Sequence, residues 1–357
     1  MKNAVVALVL ALTLVPAEAQ DGGRAFAPAV AGLIDEVIVP QYARFTEAAE
    51  AEKAAVADLC AAPDAARLAE ARAGFLTVLG AFSRVEMFRF GPAREDNRIE
   101  RLFFWPDRRG RGLRQIQGVI AKMDETASTP DTLKDKSVAV QGLPALEFAL
   151  FGTGADDDLM APAGFRCRYA RAVTVAIADV AAALEADWRG PFARLMASAG
   201  PDNAVYRTHG EALQDILQAA AEEIEMVRDL KLGVALGDGP DDAKPKTMPF
   251  WRSGGALVAI AGNVAGVRAL MAPPLRAVLD ADDVWARSLD FELELVDRAL
   301  GGLIEDGRPF EEIVTDPQSH RQLAYAQFPL AGAHTVLAQR FPAELGFVAG
   351  FNAMDGD

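Results

Sequence analysis

Gln141-Gly142-Leu143-Pro144-Ala145-Leu146-Glu147-Phe148-Ala149-Leu150-Phe151-Gly152 is the stretch from which this chain is best read. Gly142 and Pro144 break whatever helix precedes them, since glycine loosens the backbone and proline removes a donor. The residues that follow suit a fresh short helix, apolar on every side except at Glu147. A carboxylate with apolar neighbours all round cannot keep its water. Burying it unpaired is costly or forces protonation. Glu147 therefore needs a partner: a metal ion, an arginine or a bound ligand. A helix start, with its free N–H groups and partial positive charge, suits a carboxylate or an anion.

Outward from this stretch the hydrophobic period is helical. Leu289, Leu293, Val296, Leu300 and Leu303 step by four and three and share one helical face. Leu213, Ile216, Leu217, Ala220, Ile224 and Val227 do the same, as do Val173, Ile177, Val180, Ala181 and Leu184. No segment reads as a strand bounded by hairpin turns. Helices are expected near 28–61, 64–88, 111–126, 133–151, 165–188, 203–232, 254–271, 282–304 and 318–340, the first kinked at Pro40. Glycine and proline cluster at 152–164, 190–203 and 237–249. The middle cluster divides the chain into two halves, each with the helix count of a bundle. The expected fold class is all-α with two helical-bundle lobes, 20–200 and 201–357.

Residues 1–19 read as a signal peptide. Lys2 starts it, Ala4–Val15 is apolar but too short to span a bilayer, and Ala17-Glu-Ala19 is a small-x-small cleavage site. No later run is long enough for a membrane span. The mature protein is expected in the periplasm, cleaved near Ala19. A net charge of −15 argues against nucleic acid and anionic membranes as partners and favours cations. The two cysteines, Cys60 and Cys167, suit a disulfide in an oxidising compartment, with two buried free thiols as the alternative.

Ordinary catalytic apparatus is missing from the sequence. The three histidines, His209, His320 and His334, form none of the His/Glu pairs at helical spacing that hold zinc or di-iron. No Gly-x-Ser-x-Gly elbow, phosphate loop or dinucleotide fingerprint occurs. The reading leans away from an enzyme. Asp156–Asp158 could hold a hard cation or simply face water, and Asn352, Asp355 and Asp357 recover only part of a calcium loop. Asn263, amid apolar neighbours, needs a hydrogen-bond partner.

An arginine belt runs through this acidic chain: Arg84, Arg89, Arg94, Arg98, Arg101, Arg108, Arg109, Arg111 and Arg114, interleaved with Glu86, Glu95, Asp96, Glu100 and Asp107. It is either a network of ion pairs or an anion-binding wall, since guanidinium offers a planar fork to carboxylate or phosphate. Phe103, Phe104 and Trp105 lie within it and could line a pocket.

The 141–152 stretch resembles the signature of the imelysin family, Gly-x-His-x-x-Glu followed by aromatic and aliphatic residues. Gly142 and Glu147 match; the histidine position holds Pro144. Arg89-Phe-Gly-Pro92, Glu95-Asp-Asn-Arg98, Phe104-Trp-Pro-Asp107, Phe165-Arg-Cys-Arg-Tyr169, Met248-Pro-Phe-Trp-Arg252 with Ser253, and Gly350–Asp357 extend the resemblance along most of the chain. It implies two all-helical lobes with a site near their junction, an envelope role in iron or metal handling, and a metallopeptidase activity once ascribed to the family. Iron or another metal ion is then the implied cofactor, with Glu147 as its one candidate ligand. The implied partners are a metal ion, a metal complex or another envelope protein. In that arrangement the belt and Glu147 share a lobe, and Glu147 is expected to pair with Arg89, Arg98 or Arg101. Gly142, Pro144, Glu147, Trp105 and those three arginines form the candidate binding set.

Overall fold

The structure is a computed structural model that describes residues 24–280 and 284–347. The expected signal peptide and the terminal Gly350–Asp357 segment, with Asn352, Asp355 and Asp357, lie outside the described residues. Every regular element among the described residues is helical, so the protein is all-α.

The first rod runs through Phe26–Leu33, the π-helical Ile34–Ile38 and Val39–Ala61 without a break. The helix continues through Pro40. A π turn, wider than an α turn, ends just ahead of it, and Pro40 falls in the opening turn of the next α segment, where a missing donor is tolerated. Ala65–Ser83 follows, its start capped by Asp64, which accepts from Arg67 N at 2.8 Å. Val39–Ala61 packs along both Ala65–Ser83 and the long Phe165–Arg189 helix. Cys60 and Cys167 form a disulfide where two of these helices meet, their Cα atoms 5.5 Å apart. The short Gly142–Phe151 helix lies against Phe165–Arg189 and Ala65–Ser83.

A second group comprises His209–Glu225, Ala256–Ala269, Val284–Asp306 and Pro317–Thr335. Leu289, Leu293, Val296, Leu300 and Leu303, read from the sequence as one face, are all buried, as the four-three step requires. Ala65–Ser83 also packs on Ala256–Ala269 and joins the two groups, while Phe26–Leu33 lies on His209–Glu225. Gly266 permits the closest approach, because a Cβ there would run into the backbone of Arg84. The apolar side chains of both groups form one continuous core.

That seam holds a charge cluster. The π-helical Met226–Gly233 segment carries Lys231, only 1% exposed. Its Nζ donates to both carboxylate oxygens of Glu86 at 3.0 Å, to Glu223 Oε1 at 3.3 Å and to Asn263 Oδ1 at 2.8 Å. Asn263 Nδ2 donates to Ser83 O and Glu86 Oε2, at 2.9 and 3.0 Å. Asn263 thus finds the partner its burial demands, across the two groups of helices. Burial would raise Glu86, but Lys231 and Arg89 hold its carboxyl below the usual range. Glu223 is pushed up to about 7 by burial and by the charge of Glu86.

Candidate functional site

Gly142 starts the Glu147 helix with φ +71°, and a Cβ there would strike the carbonyl oxygens of Arg101 and Leu102. Only glycine lets the helix begin so close to that strand of backbone. Arg101 fixes the same corner by donating from Nε to Gln141 Oε1 at 3.1 Å. Pro144 sits in the first turn, where proline costs nothing. At the other end Arg72 donates to the Leu150 carbonyl at 3.0 and 2.8 Å. A helix pinned at both ends holds Glu147 in its interior, 3% exposed.

The partner of Glu147 comes from the second group of helices. Oε1 accepts from Ser253 N and Ser253 Oγ, each at 3.0 Å, and Oε2 lies 3.9 Å from Arg252 Nη1. Burial pushes the Glu147 carboxyl up, against the pull of the Ser253 N–H and the Arg252 charge. The expected pairing with Arg89, Arg98 or Arg101 is corrected here. Arg89 donates to Glu86 at 2.9 Å, Arg98 to Asp187 at 2.6 Å, and Arg101 to Gln141. Each of these three arginines serves another acid or amide. Glu147 lies in the interior of its own helix, not at its start, and accepts from the turn just ahead of the Ala256–Ala269 helix.

That turn, Met248–Gly255, is shaped by Phe250 at φ +61° and Gly254 at φ +74°. A buried phenylalanine in left-handed conformation is strained and persists only when its surroundings hold it. Here Phe103 does so, stacked on Phe250 at 5.2 Å and on Trp105 at 5.8 Å. Arg252 lies over Trp251 at 4.5 Å and over Phe148 at 5.6 Å, and Lys246 covers the same Trp251 at 5.4 Å.

Between these pieces is a cavity of 590 Å³ at the junction of the two groups. Pro144, Glu147 and Trp105 line it from the first group, Arg252, Trp251, Lys246 and Phe250 from the second. Arg89, Arg98 and Arg101 do not. Reading the sequence missed Arg252, Ser253 and Lys246 as site residues, although Met248–Arg252 carried the family resemblance. Nothing in the spacing links them to an acid 106 residues away.

A bare metal ion does not fit this donor set. Glu147 already spends one oxygen on two Ser253 donors and faces a guanidinium with the other, and Pro144 offers nothing where the signature has imidazole. Asp107, also at the cavity, accepts from Arg111 N and Leu113 N at 2.7 and 3.2 Å and so caps the Arg111–Lys122 helix. No group of three or more His, Cys, Asp or Glu with metal-binding geometry exists among the described residues. The histidines are far apart in role: His209 bonds the Ala197 carbonyl, His320 that of Val314, and His334 faces Glu225. Asp156 and Asp158 pair with Arg72 and Arg166. No described helix is long and apolar enough to cross a membrane.

The comparisons agree with this all-helical fold. The imelysin (peptidase M75) family profile matches residues 38–337. Among solved structures, the fold is similar to an imelysin-like protein from Psychrobacter arcticum 273-4, with TM-score 0.75 and 20% identity over 96% of this chain and 100% of that one. It is also similar to a protein from Parabacteroides distasonis ATCC 8503 described as an iron-regulated protein A precursor, with TM-score 0.68 and 18% identity over 87% and 93%. No curated protein matches. With the profile spanning most of the sequence, the chain belongs to the imelysin family.

Proposed function

We propose that this protein is an exported binding protein whose junction cavity takes an anionic ligand with a flat or apolar body. A carboxylate-chelated metal complex is the class that fits an envelope role in iron handling. The observation that carries the reading is the composition of the cavity wall. Glu147 is neutralised by Ser253 and Arg252, while Arg252 and Lys246 stand over aromatic rings at the opening. With Arg108, Lys246 and Arg252 against Asp107 and Glu147, the lining carries one more cation than acid, which favours an anion over a free cation, and guanidinium is suited to carboxylate. The stacked Phe103, Trp105 and Phe250 rings give the ligand's body an apolar surface. The iron connection rests on the relative described as iron-regulated. Export rests on the N-terminal sequence.

The test is thermal unfolding with ferric citrate, citrate alone and Zn²⁺. Ferric citrate at a hundred times its Kd should stabilise by about 2.7 kcal/mol, and Zn²⁺ should do nothing. Arg252→Gln should abolish the ferric citrate effect. Stoichiometric Zn²⁺ binding lost in Glu147→Gln would overturn the reading, as would the absence of any anion effect.

A further inference from the structure

The Arg111–Lys122 helix divides two spaces. One face, with Gly112 and Ile116, closes the junction cavity. The other forms a separate groove of 730 Å³ with the 136–140 segment. Arg111, Arg114 and Lys122 line this groove, exposed to solvent, above a floor that includes the buried Val119 and Val140. Between Arg108 and Lys122 the chain carries five cations and no acid, inside a protein of net charge −15. Arg114 donates to the Arg109 carbonyl at 2.8 Å, while Arg111 and Lys122 have no acid within ion-pair distance among the described residues. The groove's own acid, Asp124, is already held by Lys136 at 2.8 Å. This part of the belt is not an internal ion-pair network.

We propose that this groove docks an acidic peptide segment of a partner protein, with carboxylates on the arginine and lysine edge and small apolar side chains on the Val119–Val140 floor. The cations are spread over about 16 Å of helix, a span that a single small anion cannot bridge. An extended segment with alternating acids can. Ser137 and Gln115 at the rim offer hydrogen bonds to a peptide backbone. An anionic membrane is repelled by the acidic rest of the surface.

The experiment is fluorescence anisotropy of a labelled twelve-residue peptide alternating Glu with Val, at 0.15 M salt. The expected result is saturable binding that weakens at least tenfold in Arg114→Glu/Lys122→Glu and at 0.5 M salt. The double variant changes only exposed side chains and should keep the parent melting temperature. Its response to ferric citrate should also be unchanged, which separates this site from the junction cavity. The proposal is overturned by equal binding of the variant. It is equally overturned if polyphosphate or phosphatidylglycerol vesicles bind the groove and the peptide does not. Concentration-dependent self-association that the double variant abolishes would assign the groove to a second copy of the chain instead.

Discussion

Two buried glutamates make opposite use of the same physical situation. Glu147 is compensated: two donors from Ser253 and the charge of Arg252 offset its lost hydration. Glu147→Gln keeps an acceptor for Ser253 but leaves Arg252 without its counter-charge. It should cost about 1–3 kcal/mol in urea unfolding and leave metal content unchanged. Glu52 is uncompensated. It is 1% exposed, neither carboxylate oxygen has a partner among the described residues, and burial pushes its carboxyl up to about 9. A folded-state pKa above the unfolded value of about 4.5 means the native state holds the extra proton between those limits. The contribution of Glu52 to stability is therefore full below pH 4.5 and falls as pH rises towards 9. Glu52→Gln should flatten that fall and leave the variant more stable than the parent at pH 9, as read from melting temperatures across the range. Both acids were legible in principle. Glu147 stands out in an apolar run; Glu52 has Ala48, Ala49, Ala55 and Val56 around it at helical spacing, but nearby Glu47, Glu50 and Lys53 make the segment look like an ordinary wet face.

At the scale of elements, the π-helical Met226–Gly233 segment is what turns a surface-looking lysine inward. An α-helical continuation would change the register of every residue after Met226. The wider turn sends Lys231 into the seam and leaves Leu230 and Val234 at the junction cavity. Sequence periodicity placed this helix at 203–232 but could not show the insertion, because a π turn shifts the period without a marker residue. Lys231→Met would strand Glu86 and Glu223 in the core beside only Arg89 and Asn263. A loss of about 3–5 kcal/mol in chemical denaturation is expected, with partial recovery on adding Glu223→Gln. The loop elements were least legible. Met248–Gly255 owes its shape to Phe250 at φ +61°, a conformation no propensity assigns to phenylalanine.

For the whole molecule, the helical class and the approximate extent of most helices followed from hydrophobic steps alone, since core faces must repeat every three or four residues. What did not follow were contacts between the halves. Glu147–Ser253 and Glu86–Lys231 join residues 106 and 145 positions apart, and one sequence contains no term for such distances. The disulfide is the exception, because the chain has only two cysteines and one pairing. Closing a loop of 107 residues, it should contribute about 4–5 kcal/mol by the chain-entropy account. Reduction with dithiothreitol should lower the melting temperature accordingly, and a Cys60→Ala/Cys167→Ala protein should no longer respond to the reductant.

The sealed Lys231 cluster also limits how the protein can move. Swinging one group of helices away from the other would pull Glu86 and Asn263 off Lys231 before water could reach them, so a clamshell opening is energetically closed. The cavity is already partly open to solvent, so a ligand can enter with the two groups of helices held together. Small-angle scattering should accordingly give the same radius of gyration with and without a captured guest, unlike the contraction of a hinged receptor.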